Sequence, residues 1–351
     1  MNNILQKSGP FMVSVVVPCN HDFGDLKTLL FEITKGTLVP NEIIVVNSNP
    51  KSIIYDKDDY NEQVINEESV LFDRFRVLGI KLIIINKLNV FPGDARNIGI
   101  KNTTGEIIAF LDVKTIPTCY WLKKACDSLK NKNIQGVWGS TIYKADSYVS
   151  SIILDAIYGR KPLRSIPGTV MKKECLSVIG QMVSWVPAGE DGDWMARINA
   201  HKLNFKAPLE HNTTYCGLAN KNINYFIKKW WSYYNLSRMF PVNDRDRWVS
   251  YILSYALIIF LAFNWNYQIS EFIFGTYILV PHITKTVLIF GLSIYLILRG
   301  IYLPLARGVP LFQLLPFRFI QLIIITTILD IVKTMALLMP SKILEKLKIK
   351  N

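Results

Sequence analysis

Three short runs rich in β-branched residues, MVSVVVP at Met12–Pro18, EIIVV at Glu42–Val46 and IKLIIIN ending at Asn86, constrain this chain more than any other feature. Apolar runs of this length, with little alternation, fit strands buried on both faces of a parallel sheet. Helical patterns separate them. From Asp25, LKTLLFEITKG puts Leu26, Leu29, Leu30 and Ile33 on one face, with Gly36 as the stop. After Pro92 and Gly93, DARNIGIKNT reads as a helix capped by Asp94, followed by a turn at Thr104-Gly105 and a strand EIIAFLD. Trp121–Leu129 and Asp191–Ala200 read as further helices, the second burying Trp194, Ile198 and Met195, and a strand at Phe205–Ala207 closes the series. Residues 49–75 are acidic and without period, so they read as a loop. Strand and helix in alternation predict an α/β fold with a parallel, doubly wound sheet and right-handed crossovers.

The composition breaks once. Up to about His211 polar and apolar residues mix as in a globular domain, whereas from Val249 onward long apolar runs dominate. Val249–Trp265 is uncharged and just long enough to span a bilayer. A second stretch, Thr276–Leu298, is followed by Arg299, Arg307 and Arg318, while the loop before it carries Glu271 and no base. That asymmetry predicts a hairpin with both ends cytosolic. The last stretch, Phe319–Met339, holds Gln321, Asp330 and Lys333 and precedes a basic tail, so a re-entrant or interface-lying helix is favoured over a third span. The expected organisation is therefore a domain at 1–218, an amphipathic region at 219–245 and a membrane region at 246–351, with spans near 249–265 and 276–298.

The net charge of +13 is concentrated beside these segments, at Lys221–Arg247 and Lys342–Lys350. An anionic bilayer is the expected partner and nucleic acid is not, because no basic-aromatic repeat or binding module occurs in the first domain. Between Asn222 and Met239, Trp230 and Trp231 interleave with Lys228 and Lys229, as in a helix lying in the membrane interface. No apolar leader precedes Met12, so the first domain is expected in the cytosol, held at the cell (inner) membrane. Five cysteines without metal-ligand spacing read as reduced thiols.

Four segments end a predicted strand or open a predicted helix at one end of the sheet: PCNHD, VVNSN, GDARN and FLDVK. Ligands of open α/β sheets bind there. A fifth, VPAGEDGDW at Val186–Trp194, brings Glu190 and Asp191 beside Gly189 at a helix start, where acids also occur for the helix dipole alone. Asp112 ends a buried run, and Lys114 stands two residues on.

In this order, VSVVVPCN, EIIVVNSN, FPGDARNIGI, GEIIAFLDVKTIPTCYWL, SIPGTVMKKECL and AGEDGDWMARI resemble the family 2 glycosyltransferases over residues 12–240. The resemblance implies a GT-A nucleotide-sugar-binding fold and inverting transfer of a sugar from a nucleotide diphosphate to an acceptor hydroxyl. With the membrane region it implies surface-polysaccharide or glycolipid assembly on a lipid-linked or membrane-surface saccharide. Asp191 takes the position of the base. Glu190, Trp185 and Trp194 are then expected at the acceptor, and Pro18, Asn20, Asn47, Arg96, Asp112 and Lys114 at the donor. The family's metal-holding DxD is DVK here. Either Lys114, assisted by Arg96 and by Lys228 or Lys229, replaces the divalent cation, or Asp112 holds magnesium or manganese alone. The first is preferred. A polyprenyl-phosphate sugar transferase and a catalytically silent scaffold subunit stay open as alternatives.

Overall fold

The computed structural model describes residues 11–20, 23–49, 62–218, 221–236, 255–257, 260 and 283–339. Two compact units divide the chain, Met1–Ser151 with Lys161–Asn222, and Ile152–Arg160 with Ile223–Asn351. The return of Ile152–Arg160 to the second unit has no counterpart in the sequence reading.

The first unit is built on a nine-stranded sheet. Its parallel half comprises β1 (Val13–Cys19), β2 (Glu42–Asn47), β3 (Lys81–Asn86) and β4 (Ile107–Phe110), in the order β3-β2-β1-β4. β1 needs its β-branched run because both its faces are covered. Val13, Val15 and Val17 pack with α1 (Phe23–Ile33) on one side, where Leu26, Leu29, Leu30 and Ile33 all turn inward as their spacing predicts. Val16 points the other way, to Phe110, Trp138 and Trp194. Residues 62–78, for part of which the sequence predicts a loop, form the helix α2 (Glu62–Leu78). Its acidic first half hides the period that Leu71, Phe75 and Leu78 complete in the core.

Beyond β4 the sheet departs from the parallel expectation. After β5 (Thr115–Pro117) and α4 (Trp121–Leu129), β6 (Gly136–Tyr143) pairs antiparallel with β7 (Leu163–Lys172), and β7 runs antiparallel to β4. β8 (Phe205–Lys206) and an unforeseen β9 (Thr213–Tyr215) lie parallel to β6, and β9 pairs antiparallel with β5. Serines, threonines and glycines interrupt the apolar residues of β6, β7 and β9, so these strands lack the unbroken apolar signature of β1 and β2. The short α5 (Tyr148–Ile153) and α6 (Leu176–Ile179) lie in its connections.

In the second unit, α8 (Ile223–Leu236) packs on the helix Arg318–Leu338 through Asn235, whose Nδ2 donates to the carbonyls of Ala336 and Met339 at 3.1 and 3.2 Å. The helix Ile283–Ile297 continues through a π turn, Leu298–Tyr302, to Ala306. By length and composition, Ile289–Ala306 and Arg318–Leu338 could each cross a membrane. The second predicted span thus runs past Arg299, and the first, 249–265, falls almost wholly outside the described residues. Asp330, one of the residues that made 319–339 look interfacial, is answered within the unit: Arg299 pairs with it, and the Tyr295 hydroxyl donates to it at 3.0 Å.

Candidate active site

The strand register brings the site together. Cys19, Asn47 and Asn86 stand side by side where β1, β2 and β3 end, so the loops that follow open on one rim. α3 (Pro92–Lys101) begins over that rim and α7 (Glu190–Ala200) faces it. Asp94 does not cap α3. Phe91 occupies the cap, proline takes the first helical position and Asp94 is simply an acid of the first turn.

One guanidinium organises the site. Arg96 is 2% exposed and forms three ion pairs, Nη2 to Asp112 Oδ1 at 2.9 Å, and Nη1 to Glu190 Oε1 at 3.0 Å and Asp191 Oδ1 at 2.8 Å. Its Nε is buried with no partner among the described residues. Sequence reasoning put Arg96 with the donor's phosphates; the structure commits its charge to carboxylates. Burial alone would lower the guanidinium's proton affinity, but Asp191, Asp112 and Glu190 raise it well above the usual value. Asp191 is pushed up to about 7, first by desolvation and then by Glu190 and Asp112, with Arg96 opposing. A carboxyl poised there suits proton transfer near neutrality.

Two devices hold the segment that leads into α7 against α3. Asn97 Nδ2 donates to the Met182 carbonyl at 2.7 Å, while the Met182 N–H donates back to Asn97 Oδ1 at 2.9 Å. Gly93 lets the backbones touch: a Cβ there would stand 2.1 Å from the Val183 oxygen and 3.3 Å from Glu190 Cβ. Gly93→Ala is therefore expected to cost about 1–3 kcal/mol in urea unfolding, as overpacking does, and to lower turnover by loosening Glu190. Unchanged stability would show that the segment yields freely. Gly189, which precedes α7, has φ +98°, a left-handed conformation that favours glycine.

A cavity of about 220 Å³ fronts these groups. Of the expected residues, Pro18, Asn20, Arg96, Asp112, Lys114, Glu190 and Asp191 line it. Lys114 pairs with Asp25 Oδ2 at 3.4 Å. Asn47 stands apart, 1% exposed, its Nδ2 donating to Asn86 Oδ1 at 2.9 Å and its Oδ1 accepting from the Asn49 N–H. Trp194 is corrected from acceptor contact to core. It is fully buried, lies edge-on to Phe110 and donates its indole N–H to the Gly180 carbonyl, because Trp194 and Ile198 share the face of α7 turned to the sheet. Trp185 is exposed but is not part of the cavity wall. Ser48 and Tyr215 line it unforeseen; Tyr215 arrives on β9, which the sequence did not announce.

Lys228 and Lys229 are exposed on α8, and Trp231 is half-buried. Trp230 stacks on Tyr234 with centroids 5.1 Å apart, and its indole nitrogen is buried.

The family model for glycosyl transferase family 2 matches residues 14–152. The chain carries a glycosyl transferase family 2 domain. The match takes in β1 to β6, with Arg96 and Asp112, and ends before Glu190 and Asp191. Among similar proteins, glycosyltransferase AglE of Haloferax volcanii is 20% identical over 219 residues, 59% of this chain and 66% of that protein, so the chain spans just under two thirds of its length. An uncharacterized glycosyltransferase of Haemophilus influenzae is 22% identical over 279 residues, 72% of this chain and 86% of its own. Mannosyltransferase PcManGT from Pyrobaculum calidifontis, solved with GDP-Man and Mn2+, aligns at TM-score 0.43 and 15% identity, covering 64% of this chain and 63% of that one.

Proposed function

We propose that this chain transfers a glycosyl group from a nucleotide diphosphate sugar to an acceptor hydroxyl, with inversion, and that Asp191 is the general base. The observation that carries the reading is the convergence of Asp112, Glu190 and Asp191 on Arg96 at the rim of the family 2 domain. Arg96 holds one oxygen of Asp191, and the side chain is 36% exposed, leaving the other oxygen for an acceptor. Asp191 takes the hydroxyl proton as the acceptor oxygen bonds to the anomeric carbon, and the bond to the β-phosphate breaks with its electron pair on the departing nucleoside diphosphate.

That leaving group needs positive charge, and Arg96 is already outnumbered by its carboxylates. Lys114 is the other cation on the cavity wall. Its pair with the half-exposed Asp25 is of a kind worth about 0–1 kcal/mol, so exchange for a phosphate is cheap. A divalent cation is the other source. Among the described residues no three His, Cys, Asp or Glu side chains form a metal cluster. Asp112, 33% exposed with one oxygen on Arg96, could still offer the second, the diphosphate and water completing the shell as they commonly do for magnesium. Bound there, a cation would neutralise charge on the leaving group; Asp112 would hold it and Lys114 would assist.

Two helices able to cross a bilayer and the lysines of α8 support an enzyme at the cytosolic membrane face, acting on a lipid-linked saccharide. Incubating the full chain with sugars carried on each common nucleoside diphosphate, with and without chelator, tests the reading. Transfer from at least one donor is expected, persisting in chelator and falling at least about tenfold in Lys114→Met, the scale of a lost charge-assisted contact. Strict metal dependence would hand that role to a cation at Asp112. No turnover of any donor on any lipid-linked acceptor would overturn the proposal.

A further inference from the structure

The second unit contains a small polar cavity among apolar helices. Its volume is about 130 Å³, and its wall includes Trp230, Tyr234, Arg299, Arg307, Asp330 and Lys333. That is well below the roughly 300 Å³ at which pockets for drug-sized ligands begin, so a whole nucleotide is excluded and a single headgroup is not. Three lining side chains are cations and one is an acid. The acid, Asp330, is engaged by Arg299 and by the Tyr295 hydroxyl. Arg307 is half-buried, donates to the Ala156 carbonyl, and has no ion pair among the described residues.

The remaining groups point to the same chemistry. Lys333 sits 4.5 Å from the centroid of the Tyr234 ring, and Tyr234 stacks on Trp230. Trp230 Nε1 is buried without a partner among the described residues. Indole and guanidinium are donor-only, so whatever satisfies them must be an acceptor, and beside a half-buried arginine an anionic one. Burial, and then the charge of Arg299, push Arg307 below the ordinary arginine range, as expected of a cation still short of its counter-ion. Ionisable groups set in helices of this length and hydropathy are costly unless they serve a ligand or one another, and Asp330 already serves Arg299 and the Tyr295 hydroxyl.

We propose that this cavity binds a phosphate group, held by Arg307, Lys333 and the indole N–H of Trp230. The phosphate belongs either to a lipid headgroup or to the free anion. Phosphate supplies several strong acceptors and matches the guanidinium fork, and basic pockets between apolar helices are places where such headgroups lodge. The inference concerns binding in this unit and holds whether or not the first unit transfers sugar.

The full chain in detergent micelles is titrated with dioctanoyl phosphatidic acid, with inorganic phosphate and with dioctanoylglycerol, which has the same tails and no phosphate. Saturable binding of a phosphate-bearing probe is expected, with dioctanoylglycerol inert. Preference for phosphatidic acid assigns the site to a lipid headgroup, and equal binding of inorganic phosphate assigns it to the free anion. Arg307→Gln should weaken binding at least about tenfold, the consequence of losing a charge-assisted contact to a buried anion. Trp230→Phe keeps the ring stack, removes only the N–H and should weaken binding about fivefold. Exposed Lys81→Gln, in the first unit, should change nothing. Parent-like binding in both Arg307→Gln and Trp230→Phe, or no saturable binding of either phosphate probe, overturns the proposal.

Discussion

Asp191→Asn is expected to lower sugar transfer by about 10²–10⁴-fold, the usual contribution of a positioned base, while the protein stays folded. An asparagine oxygen can still accept from Arg96, so the contact at 2.8 Å survives and only the proton affinity is lost. The pH dependence has a definite sign. A base must be unprotonated, so in the parent kcat/KM should fall tenfold per unit below about 7, where burial and its acidic neighbours place Asp191. Stability moves the other way. Because the folded-state proton affinity exceeds that of the unfolded chain, charged Asp191 costs stability above about pH 7 and costs none below about pH 4. At pH 8 the asparagine variant should therefore melt no lower than the parent. Parent-like transfer by Asp191→Asn, or an acid limb unmoved from the ordinary carboxylate range, would remove Asp191 from the role.

Arg96→Gln carries the largest expected effect on folding. It would leave Asp112, Glu190 and Asp191 together without a cation. Breaking a buried pair costs about 3–5 kcal/mol, and the lower end applies because Asp112 and Asp191 are 33% and 36% exposed. For a unit of this size, about 3 kcal/mol corresponds to a fall of roughly 6–12 °C in Tm. The loss should be greatest at pH 8, where Asp191 is charged, and should shrink as pH falls below about 7 and Asp191 takes up its proton. Arg96→Lys keeps the charge but cannot fork to acids on two elements, so it should be intermediate in Tm and poor in transfer. A melting curve for Arg96→Gln that matched the parent's at pH 8 would show that the three carboxylates do not need the guanidinium.

Much of this was legible in the residues, for uneven reasons. β1, β2, α1 and α4 follow from β-branched runs and helical spacing, because each buries an unbroken apolar face. Asp112, Glu190 and Asp191 could be named because acids at the end of a buried strand or beside a glycine at a helix start are few. Their common partner could not: Arg96 lies 16 residues from Asp112 and 94 from Glu190, and nothing local says which way a helical arginine turns. Asn97 had a faint signal, since two consecutive polar residues on a short helix against a sheet must find something to bond. Trp194 misled because an aromatic next to candidate catalytic acids suggests a sugar platform, whereas its spacing to Ile198 already placed it in the core. The antiparallel half of the sheet was obscure since small and hydroxyl-bearing residues interrupt the apolar runs of its strands.

The three-way clamp on Arg96 also ties the order of events to charge. With all three acids ionised the rim already carries two more negative charges than positive ones. An incoming diphosphate would add to that excess and, unaccompanied, would raise the proton affinity of Asp191 further, disarming the base as the donor arrived. On the proposed reading, whichever cation accompanied the diphosphate, Lys114 swung from Asp25 or a metal at Asp112, would therefore have a second duty besides steadying the leaving group. It would keep Asp191 free of its proton, so that the proposed base would be ready only when the donor was correctly neutralised.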